Sequence, residues 1–123
     1  MLNVRIVNSW EACLSKDQQR HLRNLMLQGG DKEVCGVVFE HDIIVQYPNI
    51  APDPEHSFAA EMDIEGVKAI WHSHPRGPNG PSDKDIKFMV LCEQEGLHWR
   101  HIIISPSGVV ELEVWLDSAT SAA

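Results

Sequence analysis

The sequence is poor in basic residues and has no long apolar run. Its 10 Lys and Arg residues stand against 18 Asp and Glu, which gives a formal net charge of −8 at pH 7 and argues against binding to a phosphate backbone. No apolar run approaches the roughly 18 to 20 residues that span a bilayer, and MLNVRIVNSW lacks the pattern of a signal peptide. We therefore expect a cytoplasmic protein with neither nucleic acid nor membrane as its partner.

Cysteine is also scarce, and the chain is short. The three cysteines, Cys13, Cys35 and Cys92, are an odd number at wide spacing, which favours free thiols over a disulfide framework. A length of 123 residues supports one hydrophobic core. We expect a single domain over residues 1–116 and a disordered C-terminal tail over 117–123, where small residues dominate.

Hydrophobic periodicity predicts alternating strands and helices. The predicted elements are a strand over 2–6, a helix capped by Ser9 and stopped at Gly29-Gly30, a hairpin of 34–39 with 43–47, a short helix over 59–65, a buried strand over 67–72, a helix from Ser82 to about Gly96, and a second hairpin of 100–105 with 109–115. This order predicts an α+β fold, a mixed β-sheet flanked by helices.

The stretch WHSHPRGPNGPSDKD carries the strongest chemical pattern. Side chains two residues apart on a strand point to the same face, so His72 and His74 can converge on one metal ion. A catalytic zinc usually has three protein ligands and one open position. Asp85, on the first turn of the helix that begins at Ser82, is the candidate third ligand. The stretch therefore predicts one Zn²⁺ per chain.

Hydrolysis by zinc also needs a group that moves protons and is not itself a ligand. Glu33 precedes the strand VCGVVF, and its carboxylate would lie beside the water if that strand neighbours residues 67–72. The hydroxyl of Ser82 could donate a hydrogen bond to the oxyanion that forms on an attacked carbonyl. Together these residues would form a site that hydrolyses amides.

Each residue also has a structural interpretation. Ser82 and Asp85 have the spacing of a helix capping box, the histidine pair suits a polar strand end, and Glu33 suits a solvated position before a strand. Five further histidines show no paired spacing and are expected to be structural or exposed: His21, His41, His56, His98 and His101. Only the combination favours catalysis.

The combination resembles the JAMM, or MPN-plus, zinc metalloprotease motif. Glu33, His72-Ser73-His74-Pro75, six residues, Ser82, two residues and Asp85 match every position of that motif. The resemblance implies that His72, His74 and Asp85 bind zinc, that Glu33 is the general acid/base, and that Ser82 stabilises the tetrahedral intermediate. It also implies a cytidine-deaminase-like mixed sheet and a protein or peptide substrate.

A second resemblance concerns the biological setting. Residues 49–58 and CEQEGLHWRHIIIS, from Cys92 to Ser105, are similar to the N-terminal peptidase domain of tail-assembly proteins in lambda-like phages. It implies a role in phage tail assembly, phage tail proteins as partners, and a location in the host cytoplasm or the virion tail. Small prokaryotic relatives that trim ubiquitin-like sulfur-carrier proteins are the alternative within the family.

Three other functions compete with the zinc peptidase. A non-catalytic assembly module could use this fold only to bind protein partners. A zinc nucleobase deaminase would need His-x-Glu and Pro-Cys-x-x-Cys, and neither occurs in the sequence. A cysteine peptidase using Cys35 is less favourable, because a thiol beside Gly36 in an apolar strand is expected to be buried.

Overall fold

The computed structural model describes residues 1–117, which form six strands and two helices. The elements are β1 (Leu2–Ile6), α1 (Lys16–Gly29), β2 (Cys35–Phe39), β3 (Ile43–Tyr47), β4 (Val67–Ser73), α2 (Asp83–Gln94), β5 (Arg100–Ser105) and β6 (Gly108–Leu116). Asp117, the first residue of the predicted tail, accepts a hydrogen bond from Asn3. The rest of that tail, residues 118–123, lies outside the described residues.

All six strands form one mixed sheet, as the sequence predicted. Their order is β1-β6-β5-β4-β2-β3, and every neighbouring pair is antiparallel except β4 with β5. A parallel pair needs a crossover connection, and α2 supplies it. Both predicted hairpins, β2 with β3 and β5 with β6, are confirmed.

The two helices cover opposite faces of this sheet. Alternate side chains of β4 show the division, because Ala69 and Trp71 pack in the cluster under α1 whereas Ile70 packs with Cys92 of α2. The result is a three-layer domain in which the central strands are buried on both faces. Residue 72 has the same parity as Ile70, so its side chain lies on the α2 face.

Close packing around Gly36 joins β2 to both of its neighbours. Gly36 lies opposite Trp71 of β4, and a Cβ added at Gly36 would lie 2.7 Å from the Trp71 ring. The same atom would overlap the backbone oxygen of Val45 on β3. Only glycine allows this approach, which brings the start of β2 against the end of β4.

The first helix begins later than predicted. Ser9 is not its cap; instead, Ser15 accepts a hydrogen bond from the backbone N–H of Gln18, whose side chain accepts one from the N–H of Ser15. This reciprocal capping box satisfies two backbone donors, which Ser9 with Ala12 three residues on cannot do. The longer loop before the helix lets Cys13 donate its N–H to the buried carboxylate of Glu111.

The predicted short helix over 59–65 is wrong. Residues 48–66 contain no helix or strand, although Phe58 and Met62 still pack against the core under α2. The backbone groups at the start of this segment bond across the loop rather than along a helix: the N–H of Ile50 donates to the oxygen of Ala59, and the N–H of Ala59 donates to the Asn49 side chain. These longer-range bonds outweigh local helical periodicity.

Two other predictions from the sequence are confirmed. The second helix follows Ser82 as expected, and Gly96, two residues beyond its end, has a φ of +78°. The three cysteines are free thiols. Within residues 1–117, neither helix is long and apolar enough to cross a membrane.

Candidate metal centre

The site forms where β4 ends and α2 begins. His72 lies near the end of β4 and His74 directly after it, and the loop 75–81 returns the chain so that the first turn of α2 faces both rings. His72 and His74 are 5% and 6% exposed, and Asp85 is 6% exposed. The three residues that the sequence offers as metal ligands are thus buried together.

Their ligand atoms converge on one point. The Nε2 atoms of His72 and His74 lie 3.0 Å apart, and the Oδ2 atom of Asp85 lies 3.2 Å from the first and 3.0 Å from the second. Zinc bonds of about 2.0 to 2.1 Å at tetrahedral angles separate ligand atoms by about 3.3 to 3.4 Å. The observed separations are only slightly shorter than that value, so the donor set fits a zinc ion.

The hydrogen bonds of His74 show why a cation would suit this position. Its Nδ1 lies 2.9 Å from the backbone oxygen of Pro78, which can only accept, so Nδ1 carries a proton. In the neutral ring, Nε2 then presents a lone pair towards the carboxylate of Asp85. Converging lone pairs need a proton or a metal ion between them, and metal binding displaces such a proton.

Burial and mutual hydrogen bonds shift the pKa values of the three candidate ligands. Burial lowers the pKa of His72, whereas the hydrogen bond with Asp85 raises the pKa of His74. Burial alone would raise the pKa of Asp85, but hydrogen bonds from both imidazoles hold it well below its ordinary value. The carboxylate is therefore ionised at neutral pH, which is the form that binds a metal.

Glu33 lies beside the two histidines because β2 pairs with β4. Cys35 is the register partner of His72, and this pairing brings Glu33, two residues earlier, to the site. A carboxylate oxygen of Glu33 and one ring nitrogen of each histidine lie within 4.8 Å of one another. Burial raises the pKa of Glu33 to about 7, which suits a group that accepts and returns a proton at neutral pH.

Glu33 and Asp85 therefore compete for the position of third metal ligand. The 3.0 and 3.2 Å separations around Asp85 are those of ligands that share one ion, while the Glu33 group spreads to 4.8 Å. On these separations Asp85 fits the ligand position better than Glu33 does. The Glu33 carboxyl would then be free for proton transfer.

Ser82 has two compatible roles at the start of α2. Its Oγ accepts the N–H of Asp85 at 3.2 Å, and its own N–H donates to Oδ2 of Asp85 at 2.9 Å, which completes the capping box. A hydroxyl that accepts this bond still has its own proton to donate. The Ser82 side chain can therefore cap the helix and also stabilise an oxyanion.

Two clefts flank the candidate ligands. One, of about 330 Å³, is mainly apolar and has Phe58, Met62, Phe88 and Asp85 in its walls. The other, of about 210 Å³, is more polar and includes Glu33, His74, Arg76 and Ser82. His56 borders both clefts, so the two clefts adjoin.

Some residues around the site have no pattern in the sequence that predicts them. The ring of Phe58 stacks on His72 with centroids 4.4 Å apart, and its neighbour Phe88 meets it edge-on at 5.8 Å. Asn49 bonds to the backbone of Glu33. Asn49 and Phe58 fall within residues 49–58, which carry the second resemblance, but their spacing indicates no role at the site.

The fold and the site together define a domain of the JAB/MPN type. The family model described as prokaryotic homologues of the JAB domain matches residues 15–117, and the chain belongs to this family. The match covers both helices, five of the six strands and every residue of the candidate site.

A curated relative comes from Thermus thermophilus. That protein is described as a probable TtuB-protein conjugate cleaving protease, and it is 35% identical over 60 aligned positions. The alignment covers 39% of this chain and 40% of the relative. The similarity thus extends over less than half of either protein.

Proposed function

We propose that this chain is a zinc-dependent peptidase or isopeptidase that hydrolyses an amide bond in a protein substrate. The observation that carries the proposal is the convergence of His72, His74 and Asp85 within 3.2 Å, with the buried Glu33 carboxyl beside them. Membership of the JAB family supports the same conclusion. His72, His74 and Asp85 would hold one zinc ion.

Zinc, when bound, supplies Lewis acidity that makes water acidic near neutral pH and polarises a carbonyl group. Glu33 accepts the proton of the water whose oxygen attacks the carbonyl carbon. Ser82 donates its hydroxyl hydrogen to the carbonyl oxygen as that oxygen gains negative charge. When the C–N bond breaks, Glu33 returns the proton to the leaving amine and is ready for another cycle.

For the substrate class we propose conjugates or precursors of ubiquitin-like proteins. The support is the description of the Thermus relative as a protease that cleaves TtuB-protein conjugates. The two adjoining clefts would receive the chain on either side of the scissile bond. A role in phage tail assembly, and the location that goes with it, remain predictions from the second resemblance.

The proposal is tested by Glu33→Gln, with zinc content and hydrolysis measured on the same preparation. The variant should retain about one zinc per chain and lose about 10²- to 10⁴-fold in turnover, which is the usual contribution of a general acid/base. Substrates would be a ubiquitin-like conjugate and a proteome-derived peptide library. Glu40→Gln is the matched control, since Glu40 is an exposed carboxylate that lines neither cleft, and it should hydrolyse substrate at the wild-type rate.

Equal turnover in Glu33→Gln and the wild type would contradict the assigned mechanism. A folded, zinc-loaded wild type that cleaves none of these substrates would instead favour the assembly-module function.

A further inference from the structure

The side chain of Asn49 uses its whole hydrogen-bonding capacity. Its Nδ2 donates to the backbone oxygens of Glu33 at 2.8 Å and Ser57 at 3.0 Å, and its Oδ1 accepts the N–H groups of Ala51 and Ala59, each at 3.1 Å. A carboxamide offers two donors and one oxygen with two lone pairs, so about four bonds are its limit. The two carbonyl and two N–H partners also fix which end of the amide is oxygen.

One of these bonds reaches the candidate proton-transfer residue. The backbone oxygen of Glu33 accepts from Asn49, and its N–H donates to the oxygen of Pro54 at 2.7 Å. Glu33 precedes β2, whose pairing with β4 begins at Cys35. The loop that contains Asn49 and Pro54 therefore holds both backbone groups of Glu33, where the sheet does not.

Two other bonds reach a metal-ligand candidate through an aromatic ring. Asn49 bonds to Ser57 and Ala59, the residues on either side of Phe58. The Phe58 ring stacks on the buried His72 at 4.4 Å, with 22° between the planes. Fixing the backbone on both sides of Phe58 limits where its ring, and hence the imidazole of His72, can lie.

We propose that Asn49 is a positioning residue that sets the Glu33 carboxyl and the His72 imidazole relative to each other. This inference rests on the proposed function for the meaning of that geometry. Asn49 touches neither the substrate nor the ion and acts through the backbone of Glu33 and the ring of Phe58. A displacement of about 1 Å at such a group can cost about 10²-fold in rate.

The test uses the full chain with Asn49→Ala and Asn49→Asp. The alanine removes all four bonds, whereas the aspartate keeps the two acceptor bonds and loses both donors. Amide hydrogen exchange by NMR reports the bonds from Ala51 and Ala59 directly, and it needs neither substrate nor metal. The carbonyl ¹³C shifts of Glu33 and Ser57 report the two bonds that Asn49 donates. The ring proton shifts of His72 report the position of its imidazole.

In Asn49→Ala we expect exchange at the amides of Ala51 and Ala59, which donate to Asn49, to rise about tenfold or more, with shifted carbonyl ¹³C signals of Glu33 and Ser57 and shifted His72 ring protons. In Asn49→Asp the amides of Ala51 and Ala59 should stay protected while the ¹³C shifts of Glu33 and Ser57 move. Turnover should fall about tenfold or more in both variants, with zinc still at about one per chain.

Asn3→Ala is the matched control, because Asn3 donates one side-chain hydrogen bond to Asp117 at the far edge of the sheet. It should change none of these signals. Unchanged exchange and shifts in Asn49→Ala would overturn the proposal. So would a rise in exchange spread evenly over the sheet, since that would make Asn49 a general structural support.

Failure of the proposed function has a different outcome. If the wild type neither binds zinc nor hydrolyses any substrate, the peptidase assignment falls, while the local exchange pattern still decides whether Asn49 links Glu33 to His72.

Discussion

Zinc should stabilise this protein strongly, and Asp85 should be necessary for that effect. Asp85 is 6% exposed and holds its Oδ2 atom 3.0 to 3.2 Å from both imidazole nitrogens, so removing it leaves two ligands and an open buried space. The perturbation is Asp85→Ala. It is compared with Asp83→Ala, which removes an exposed carboxylate from the same helical turn.

The size of the stabilisation follows from the linkage between zinc binding and folding. Zinc at about a thousandfold over its dissociation constant adds about 4 kcal/mol to the free energy of unfolding. Unfolding entropies of about 2.1 cal/mol/K per residue amount to about 0.26 kcal/mol/K for the 123 residues of this chain. The expected rise in Tm for the wild type is therefore about 16 °C.

The assay is calorimetric unfolding of metal-free protein with and without added zinc, beside metal content by elemental mass spectrometry. Each variant is judged by its own rise in Tm, because Asp85→Ala also removes a helix-capping contact that affects the metal-free protein. Asp83→Ala should gain as much as the wild type, and Asp85→Ala less than about a third as much. An equal gain in Asp85→Ala, or a gain below about 3 °C in the wild type, would refute the assigned ligand set.

Three further predictions concern single side chains. Ser82→Ala should lower turnover by about tenfold or more because the oxyanion donor is lost, and it should lower the free energy of unfolding by about 1 kcal/mol because the helix cap is lost. Turnover kinetics measure the first effect and urea unfolding the second. Unchanged turnover would remove Ser82 from the mechanism. Gly36→Ala should lower the free energy of unfolding by about 3 kcal/mol or more, because the added Cβ would overlap the neighbouring strands. Gly80 has open space around it, so Gly80→Ala should be nearly neutral in the same urea unfolding assay. Similar values for the two variants would contradict the packing described. Iodoacetamide at neutral pH should leave hydrolysis unchanged, because Cys35 is fully buried and burial raises its pKa to about 11. Inhibition that tracks alkylation of Cys35 would favour the cysteine-peptidase alternative.

Local rules in the sequence were enough for the strands and for the second helix. The hairpins follow from β-rich runs joined by short turns, and α2 follows from a capping box with no competitor nearby. The predicted start of α1 at Ser9 is wrong because Ser9 has Ala12 three residues on, which cannot complete a capping box. Ser15 has Gln18 at that spacing, and this pair begins the helix.

The segment after β3 shows where local rules fail. Helical spacing of apolar residues over 59–65 favoured a helix, yet Phe58 and Met62 pack inward from an irregular loop. The deciding bonds join Asn49 to residues two to sixteen positions away. A periodicity argument covers a few neighbouring residues, so it cannot detect one side chain that organises a whole loop.

In the candidate site, too, some residues are placed by local sequence and one is placed only by the tertiary fold. His72, His74, Ser82 and Asp85 lie within fourteen consecutive residues, so strand parity and a helix cap already place them on facing elements. Their types and spacing are properties of the sequence alone. Glu33 joins them only through the pairing of β2 with β4, which closes a separation of about forty residues along the chain.

Only the tertiary structure decides how these groups behave chemically. Burial raises the pKa of Glu33, whereas hydrogen bonds from His72 and His74 lower the pKa of Asp85, and composition specifies neither effect. The same holds for the stacking of Phe58 on His72 and for the two clefts. The sequence by itself determined which chemical groups are present and in what local order; packing determined their distances, their charge and their access to a substrate, because those depend on segments that are remote along the chain.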